Sequence, residues 1–389
     1  MGTASNSKLN LKNFFEQNQE NINVSQKLDP STGMHTKIQS FTTVNVNEMF
    51  HENAAIEGSE EDDTRKLPLQ PGTRIVVPNH EATKCSLRRN GIVRAYAANT
   101  NQGLVRGYNE DRVSIILNIV KPEHRQHETW PKCSFFGVYD GHGGHLCAEF
   151  LRDNLHHFVV REESFPWNPQ EALAKGFQKA EDKFMREICL APQNSPNDPP
   201  QLIERSGSCA IVVLIVGEVC YVANVGDSRA VLSMNGGKDV SPLSQDHKPS
   251  DPDEYHRIIS GGGQVYQTTT ATSSMGAKDV ISPRGKEAAH PDGDNTDYIV
   301  GPIRVLPGRL SVSRTFGDPE AKFEFRGGNP NVVVCKPDIH SFKINKDHDF
   351  IILGCDGIFD KLSNEDVSSC VWNSVAIDNK EFKLAQNVH

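Results

Sequence analysis

Five short apolar runs, each bounded by glycine, asparagine or aspartate, constrain what this chain can fold into more than any other feature. They are VSIILNIV at 113–120, CSFFGVY at 133–139, CAIVVLIV at 209–216, VCYVANV at 219–225 and DFIILG at 349–354. Their length and β-branched content read as strands. Only Gly217-Glu218 separates the third from the fourth, a Gly-X turn that predicts an antiparallel hairpin. Helical patterns lie between the runs. Asn168-Pro169-Gln170-Glu171 supplies a cap, a proline at the first helical position and a glutamate three residues after the cap. Leu173, Phe177, Ala180, Phe184 and Ile188 follow on one stripe. A second helix is expected after Asp140, with Leu146, Phe150, Leu151 and Leu155 facing inward. Hairpins outweigh strand–helix alternation, so the expected class is α+β, antiparallel sheets with helices packed outside.

Composition sets the organisation around this core. Residues 1–88 are rich in Asn, Gln, Ser and Thr, carry the acidic cluster EGSEEDD, and read as a largely disordered polar extension. Residues 91–389 hold the folded domain, interrupted at 267–297 by a polar stretch that reads as an exposed insertion. With 41 basic and 50 acidic residues the net charge is −9, which argues against a nucleic-acid binder. None of the nine cysteines forms a C-x-x-C pair, so a zinc or redox motif is not expected. Cys209, Cys220 and Cys355 sit in apolar runs and read as buried, inert thiols. With no secretory leader and no apolar stretch of ~18 residues, a soluble cytoplasmic protein is expected. The start MGTASNSK approaches a myristoylation signal at Gly2, although Asn6 stands where Ser or Thr is preferred. One acyl chain there gives only weak, reversible membrane association.

The chemistry-bearing feature is where the acids fall. Asp140 closes one apolar run and is followed by Gly-His-Gly-Gly; Asp227 closes another, in ANVGDSRAVL. Asp356 closes a third, with Asp360 four residues on. Glu110 and Asp111 precede the first run, and Asp318 closes GRLSVSRTFGD. A single aspartate at a strand end is usually a turn former or a cap. Several such corners beside buried strands are brought to one rim, where unpaired carboxylates repel and raise one another's pKa. A divalent cation removes that cost, and all-oxygen ligands suit Mg²⁺ or Mn²⁺. Asp140 is the best candidate to bridge two ions, and Gly141 would let a backbone carbonyl approach one. His142 has the chemistry of a proton donor near neutral pH. Arg106 has the fork that grips a phosphate, although a lone arginine is more often a surface residue.

In order and wording these segments resemble the PPM family, the type 2C metal-dependent protein phosphatases. The resemblance is carried by RGYNED, FFGVYDGHGG, SGSCA, ANVGDSRAVL, LSQDHKPS, GRLSVSRTFGD, PDI and FIILGCDGIFD, and runs from about Gly91 to Val367. It implies a β-sandwich of two antiparallel sheets flanked by helices, a four-layer αββα arrangement. It implies hydrolysis of phosphoserine and phosphothreonine in proteins by an activated water, without a phosphoenzyme. Asp140 would then bridge two Mg²⁺ or Mn²⁺ ions, with Glu110 and the Gly141 carbonyl completing one and Asp356 binding the other. Asp227, Asp356 and Asp360 match positions that hold a weaker third ion in some members. Arg106 would bind the substrate phosphate and His142 would act as general acid, with Asp111 and Asp318 in supporting positions. The 267–297 stretch falls at the family's flap beside the site.

The family pattern continues with another helix and a strand bearing an Asp-Asn pair whose aspartate is a metal ligand. Asp378-Asn379 comes too early and lacks that strand, so relative to the pattern the C-terminal part is expected to be truncated. The main expectation is an active monomeric phosphatase acting on phosphoproteins. The alternative is a catalytically inactive relative that binds phosphoproteins or regulates a partner.

Overall fold

The apolar runs become strands because each has an alternating face to bury on either side of a sheet. The computed structural model describes residues 83–103, 106–192, 200–271, 279–283 and 298–377. Gly2 and the Asp378-Asn379 pair lie outside the described residues. Numbering the strands of the three larger sheets, β1 (Arg112–Ile116) and β2 (Cys133–Tyr139) lead into helices α1 (Leu146–Val160) and α2 (Pro169–Lys183). Next come β3 (Ala210–Val216), β4 (Val219–Val225), β5 (Arg229–Met234), β6 (Asp239–Pro242) and helix α3 (Pro252–Ser260). Strands β7 (Gln264–Ala271), β8 (Asp279–Pro283), β9 (Tyr298–Leu306), β10 (Asp338–Lys343) and β11 (His348–Gly354) precede helix α4 (Asn364–Ile377).

Two antiparallel sheets stack face to face. One has the order β10-β4-β3-β2-β1 and the other β6-β5-β11. Ile211, Val213 and Ile215 of β3 and Cys220 and Val222 of β4 meet Ala230 and Leu232 of β5 between them, with Ile351 and Leu353 of β11 packed alongside. The alternate residues of the larger sheet face the other way: Phe135 of β2 packs near His156 of α1. There Phe150, Leu151, Leu155, Leu173 and Phe177 of α1 and α2 are fully buried. On the outer face of the smaller sheet, Val231 packs with Phe359 and with Val367 of α4. The layer order is helix, sheet, sheet, helix, the α+β sandwich expected from the sequence.

Local signals act as read. The hairpin turn between β3 and β4 falls at Gly217-Glu218. The Asn168 side chain accepts from the Glu171 N–H at 3.3 Å and its amide donates back to the Glu171 carboxylate. The stripe begun in α2 continues through a π-helical turn at Phe184–Ile188, which keeps Phe184 and Ile188 buried past the end of the α-helix.

Two boundaries differ from the sequence reading. Lys84–Ser86, assigned to the polar extension, pairs as a strand with Tyr96–Ala98. The polar stretch from Gln267 is not simply an insertion: β7, β8 and β9 form a three-stranded antiparallel sheet in the order β8-β7-β9. Thr268, Thr269 and Thr270 are β-branched and suit a strand despite their polarity. Val265 and Val305 anchor that sheet on Ile258 of α3, forming a separate small cluster with Ala321, Val332 and Val333. Residues 272–278 and 284–297 lie outside the described set.

Candidate metal and phosphate site

Topology brings the acids together. In an antiparallel sheet alternate strands run the same way, so β2 and β4 end on one rim, with Asp140 one residue and Asp227 two residues beyond them. β1 runs opposite to β2, with Arg112 paired to Tyr139, so Glu110 and Asp111 stand at that rim too. In the second sheet Gly354 pairs with Arg229, two residues after Asp227, which delivers Asp356 to the same place. Five acids from four separate stretches of sequence thereby gather at one end of the sandwich.

Asp111, Asp140 and the Cys355 thiol lie with their candidate ligand atoms within 4.8 Å of one another. Burial pushes the Asp140 carboxyl up, and the charges of Asp111, Asp356 and Asp227 add to it, raising it to about 9. Asp227 is raised to about 6, first by burial and then by Asp356, with Lys248 opposing. Burial likewise raises Asp111, while hydrogen bonds with Cys355 and Asp140 partly offset it. Carboxyls raised by burial and by one another, with the thiols of Cys355 and Cys209 beside them, are a mainly oxygen donor set that fits a divalent cation. Gly141 belongs to the same corner: a Cβ there would sit 2.6 Å from the Glu110 carbonyl oxygen. Glu110 itself accepts from the Gly144 N–H through Oε1 at 2.7 Å.

Beside the cluster, three short segments pair in register. Gly141–His142 pairs with Gly207–Ser208, which pairs with Phe316–Gly317. Asp318 follows directly and reaches over Gly207 to His142, whose Nε2 donates to Oδ2 at 2.8 Å and stands 3.0 Å from Oδ1. A Cβ on Gly207 would collide with both the Asp318 carboxylate and the imidazole. Burial opposes a charged His142, but Asp318 outweighs it, with Glu110 and Asp227 adding to the effect, so its pKa is raised. Asp318 itself sits in the left-handed region at φ 52°.

The remaining predicted residues are placed differently. Asp360 is half exposed and accepts from Lys248 Nζ at 3.0 Å, while the same ammonium lies 3.7 Å from Asp227. Arg106 is exposed and forms no ion pair with another described residue. Asp111, read from the sequence as a supporting residue, lies against Asp140 and Cys355. Cys355, read as an inert core thiol, is a correction: it faces Asp111 and Asp140, although burial still pushes its pKa upward. Sequence reasoning also missed Lys248, Asp246 and Arg229, which are joined by a two-pronged Arg229–Asp246 contact at 2.6 and 3.0 Å. The LSQDHKPS and ANVGDSRAVL segments held that signal.

Known proteins of one family resemble this chain over most of its length. The family model described as protein phosphatase 2C matches residues 105–389. A probable protein phosphatase 2C of Caenorhabditis elegans is 34% identical over 248 residues, covering 63% of this chain and 56% of the relative. A protein phosphatase 2C homolog of Hypocrea jecorina is 31% identical over 281 residues, 72% of this chain and 53% of the relative. The chain thus spans little more than half the length of these two relatives. Among solved structures, a serine-threonine phosphatase 2C from Toxoplasma gondii overlaps 67% of this chain and 81% of its own, at 19% identity and a TM-score of 0.41. The family match extends over most of the chain and takes in every acid of the rim cluster, so the chain belongs to the protein phosphatase 2C family.

Proposed function

We propose that this chain hydrolyses phosphoserine and phosphothreonine in proteins at a centre holding two Mg²⁺ or Mn²⁺ ions. The observation that carries the reading is Asp140, buried among like charges and raised to about 9. A carboxylate in that position needs a cation beside it to stay ionised at neutral pH. Asp140 would bridge the two ions, Glu110 and the Gly141 carbonyl would complete one, and Asp356 the other. Asp227, Asp356 and Asp360 would form a weaker third position, at present shared with the Lys248 ammonium. When bound, the ions supply Lewis acidity that makes water nucleophilic near neutral pH and offsets phosphoryl charge.

The chain's own side chains do the rest. Arg106, exposed and unpaired with described residues, is available to hold two phosphate oxygens. His142, kept charged and oriented by Asp318, gives its proton to the departing serine or threonine oxygen. The leaving alkoxide is strongly basic, so that proton is worth roughly 10²–10⁴ in rate. Asp111 is placed to orient ligands of the centre. Phosphoproteins are the proposed substrates. A cytoplasmic setting with weak membrane attachment through an acylated Gly2 belongs to the same reading and is supported by the MGTASN start alone.

The decisive assay is turnover of a phosphothreonine peptide with Mn²⁺, repeated with chelator and with Asp140→Ala. Both changes should reduce the rate to background. Metal-independent turnover, or none from a folded sample of the chain, overturns the reading.

A further inference from the structure

Behind the His142–Asp318 contact lies a buried charged pair with no part in the chemistry derived above. Glu181 on α2 and Lys322, in the turn after Asp318, are each less than a tenth exposed. Lys322 Nζ donates to Glu181 Oε1 at 2.6 Å and to the Thr315 carbonyl at 2.7 Å. Glu181 Oε2 accepts from the Gly317 N–H at 2.9 Å. The two further bonds of the pair therefore fall on residues 315 and 317, immediately before Asp318.

Asp318 needs such a hold. A left-handed φ of 52° is strained for a non-glycine residue and persists only where the surroundings over-determine it. The Asp318 N–H donates to the Ser206 carbonyl at 3.1 Å, and the pairing with Gly207–Ser208 sets the register on one side. Glu181 and Lys322 grip the same loop from the α2 side. As a source of stability a buried ion pair is poor, because desolvation costs about what the attraction returns. Fixing one geometry is the use such a pair serves better.

We propose that Glu181 and Lys322 are positioning residues, a clamp on Thr315–Gly317 that keeps Asp318 aimed at the His142 imidazole. The kinetic consequence of the clamp rests on the phosphatase reading; its geometric consequence does not.

The test uses the full chain carrying Glu181→Leu with Lys322→Met, which replaces the pair by apolar groups of similar size and leaves no lone buried charge. The hydrogen-bonded imidazole proton of His142, followed by NMR, should be lost while the rest of the spectrum stays native-like. On a phosphothreonine peptide kcat should fall roughly ten- to a hundredfold at little-changed KM. On p-nitrophenyl phosphate, whose leaving group needs no proton, the loss should stay under about twofold. Asp318→Asn should lose the same imidazole resonance. Retention of the His142 resonance, or an equal loss on both substrates, overturns the clamp. If the double variant does not fold, Glu181→Gln with Lys322→Gln discharges the pair while keeping an acceptor for Gly317 N–H and a donor for the Thr315 carbonyl. The same two measurements then decide, with a loss of about threefold on the peptide alone expected. A native chain that turns over neither substrate sinks the phosphatase reading, and the imidazole resonance alone then judges the clamp.

Discussion

Burial, and then the charges of Asp111, Asp356 and Asp227, raise the Asp140 carboxyl far above its ordinary value, and that shift dominates the residue scale. A carboxyl raised from 3.8 to about 9 binds its proton more tightly in the folded state than in the unfolded one. Its contribution therefore opposes folding once both states are ionised, and the metal-free protein should lose stability as pH rises from about 4 to about 9. Asp140→Asn removes the charge but keeps the shape. At pH 8 with chelator it should melt at a higher temperature than the native chain, by the equivalent of a few kcal/mol. Added Mn²⁺ should stabilise the native chain by mass action and the variant much less. Thermal denaturation with and without Mn²⁺ reads both effects, and a lower metal-free midpoint in Asp140→Asn would refute the account. Asp140 and His142 were legible in the sequence because both stand where an apolar run ends beside glycines. Cys355 was not, because only the stacking of two sheets turns its thiol toward Asp111.

Among the elements, four segments without a common strand are tied by one polar network. Glu254 on α3 accepts from Arg314, from Arg257 and from the Ser313 hydroxyl. Arg314 also donates to Asp338 at 2.7 Å, and His247 Nε2 donates to the other Asp338 oxygen at 3.0 Å. The remaining His247 nitrogen accepts from the Gly226 N–H at 3.1 Å, next to Asp227. Burial pushes Glu254 up, but Arg314, Arg257 and Ser313 together outweigh it and hold the carboxyl at about 2. A depressed carboxyl stabilises the fold above its unfolded value of 4.5, and that stability disappears as pH falls from 4.5 toward 2. Glu254→Gln should therefore cost about 2–3 kcal/mol at pH 7 and flatten the acid limb of the stability curve. Urea unfolding across pH 2 to 7 checks this, and an acid limb as steep as the native one counts against it. The elements themselves were readable where apolar period and capping agreed, as in α2. They were not where threonines carried a strand, as in β7, because polarity and β-propensity point in opposite directions there.

Over the whole molecule, the site depends on two sheets holding their stack. Leu232 of β5 is 4% exposed between them, among Ile211, Val213 and Val222. Leu232→Ala should cost about 2–5 kcal/mol, the usual range for emptying a core leucine site. It should shift the denaturant midpoint without changing the slope. A cost under about 1 kcal/mol would mean the two sheets are not packed through this residue. Residues near one another or in fixed order were enough to give five of the strands, the hairpin at Gly217-Glu218, the Asn168 cap and the family. The sequence also marked most of the acids, because turns favour aspartate at strand ends. Only the tertiary structure decided which acids share a charge environment and which cation stands among them. It placed Asp111 against Asp140, set Lys248 between Asp227 and Asp360, and left Arg106 at the surface. The reason is physical: electrostatic coupling falls with distance through space, and spacing along the chain carries almost no record of that distance once strands from two sheets meet at one rim.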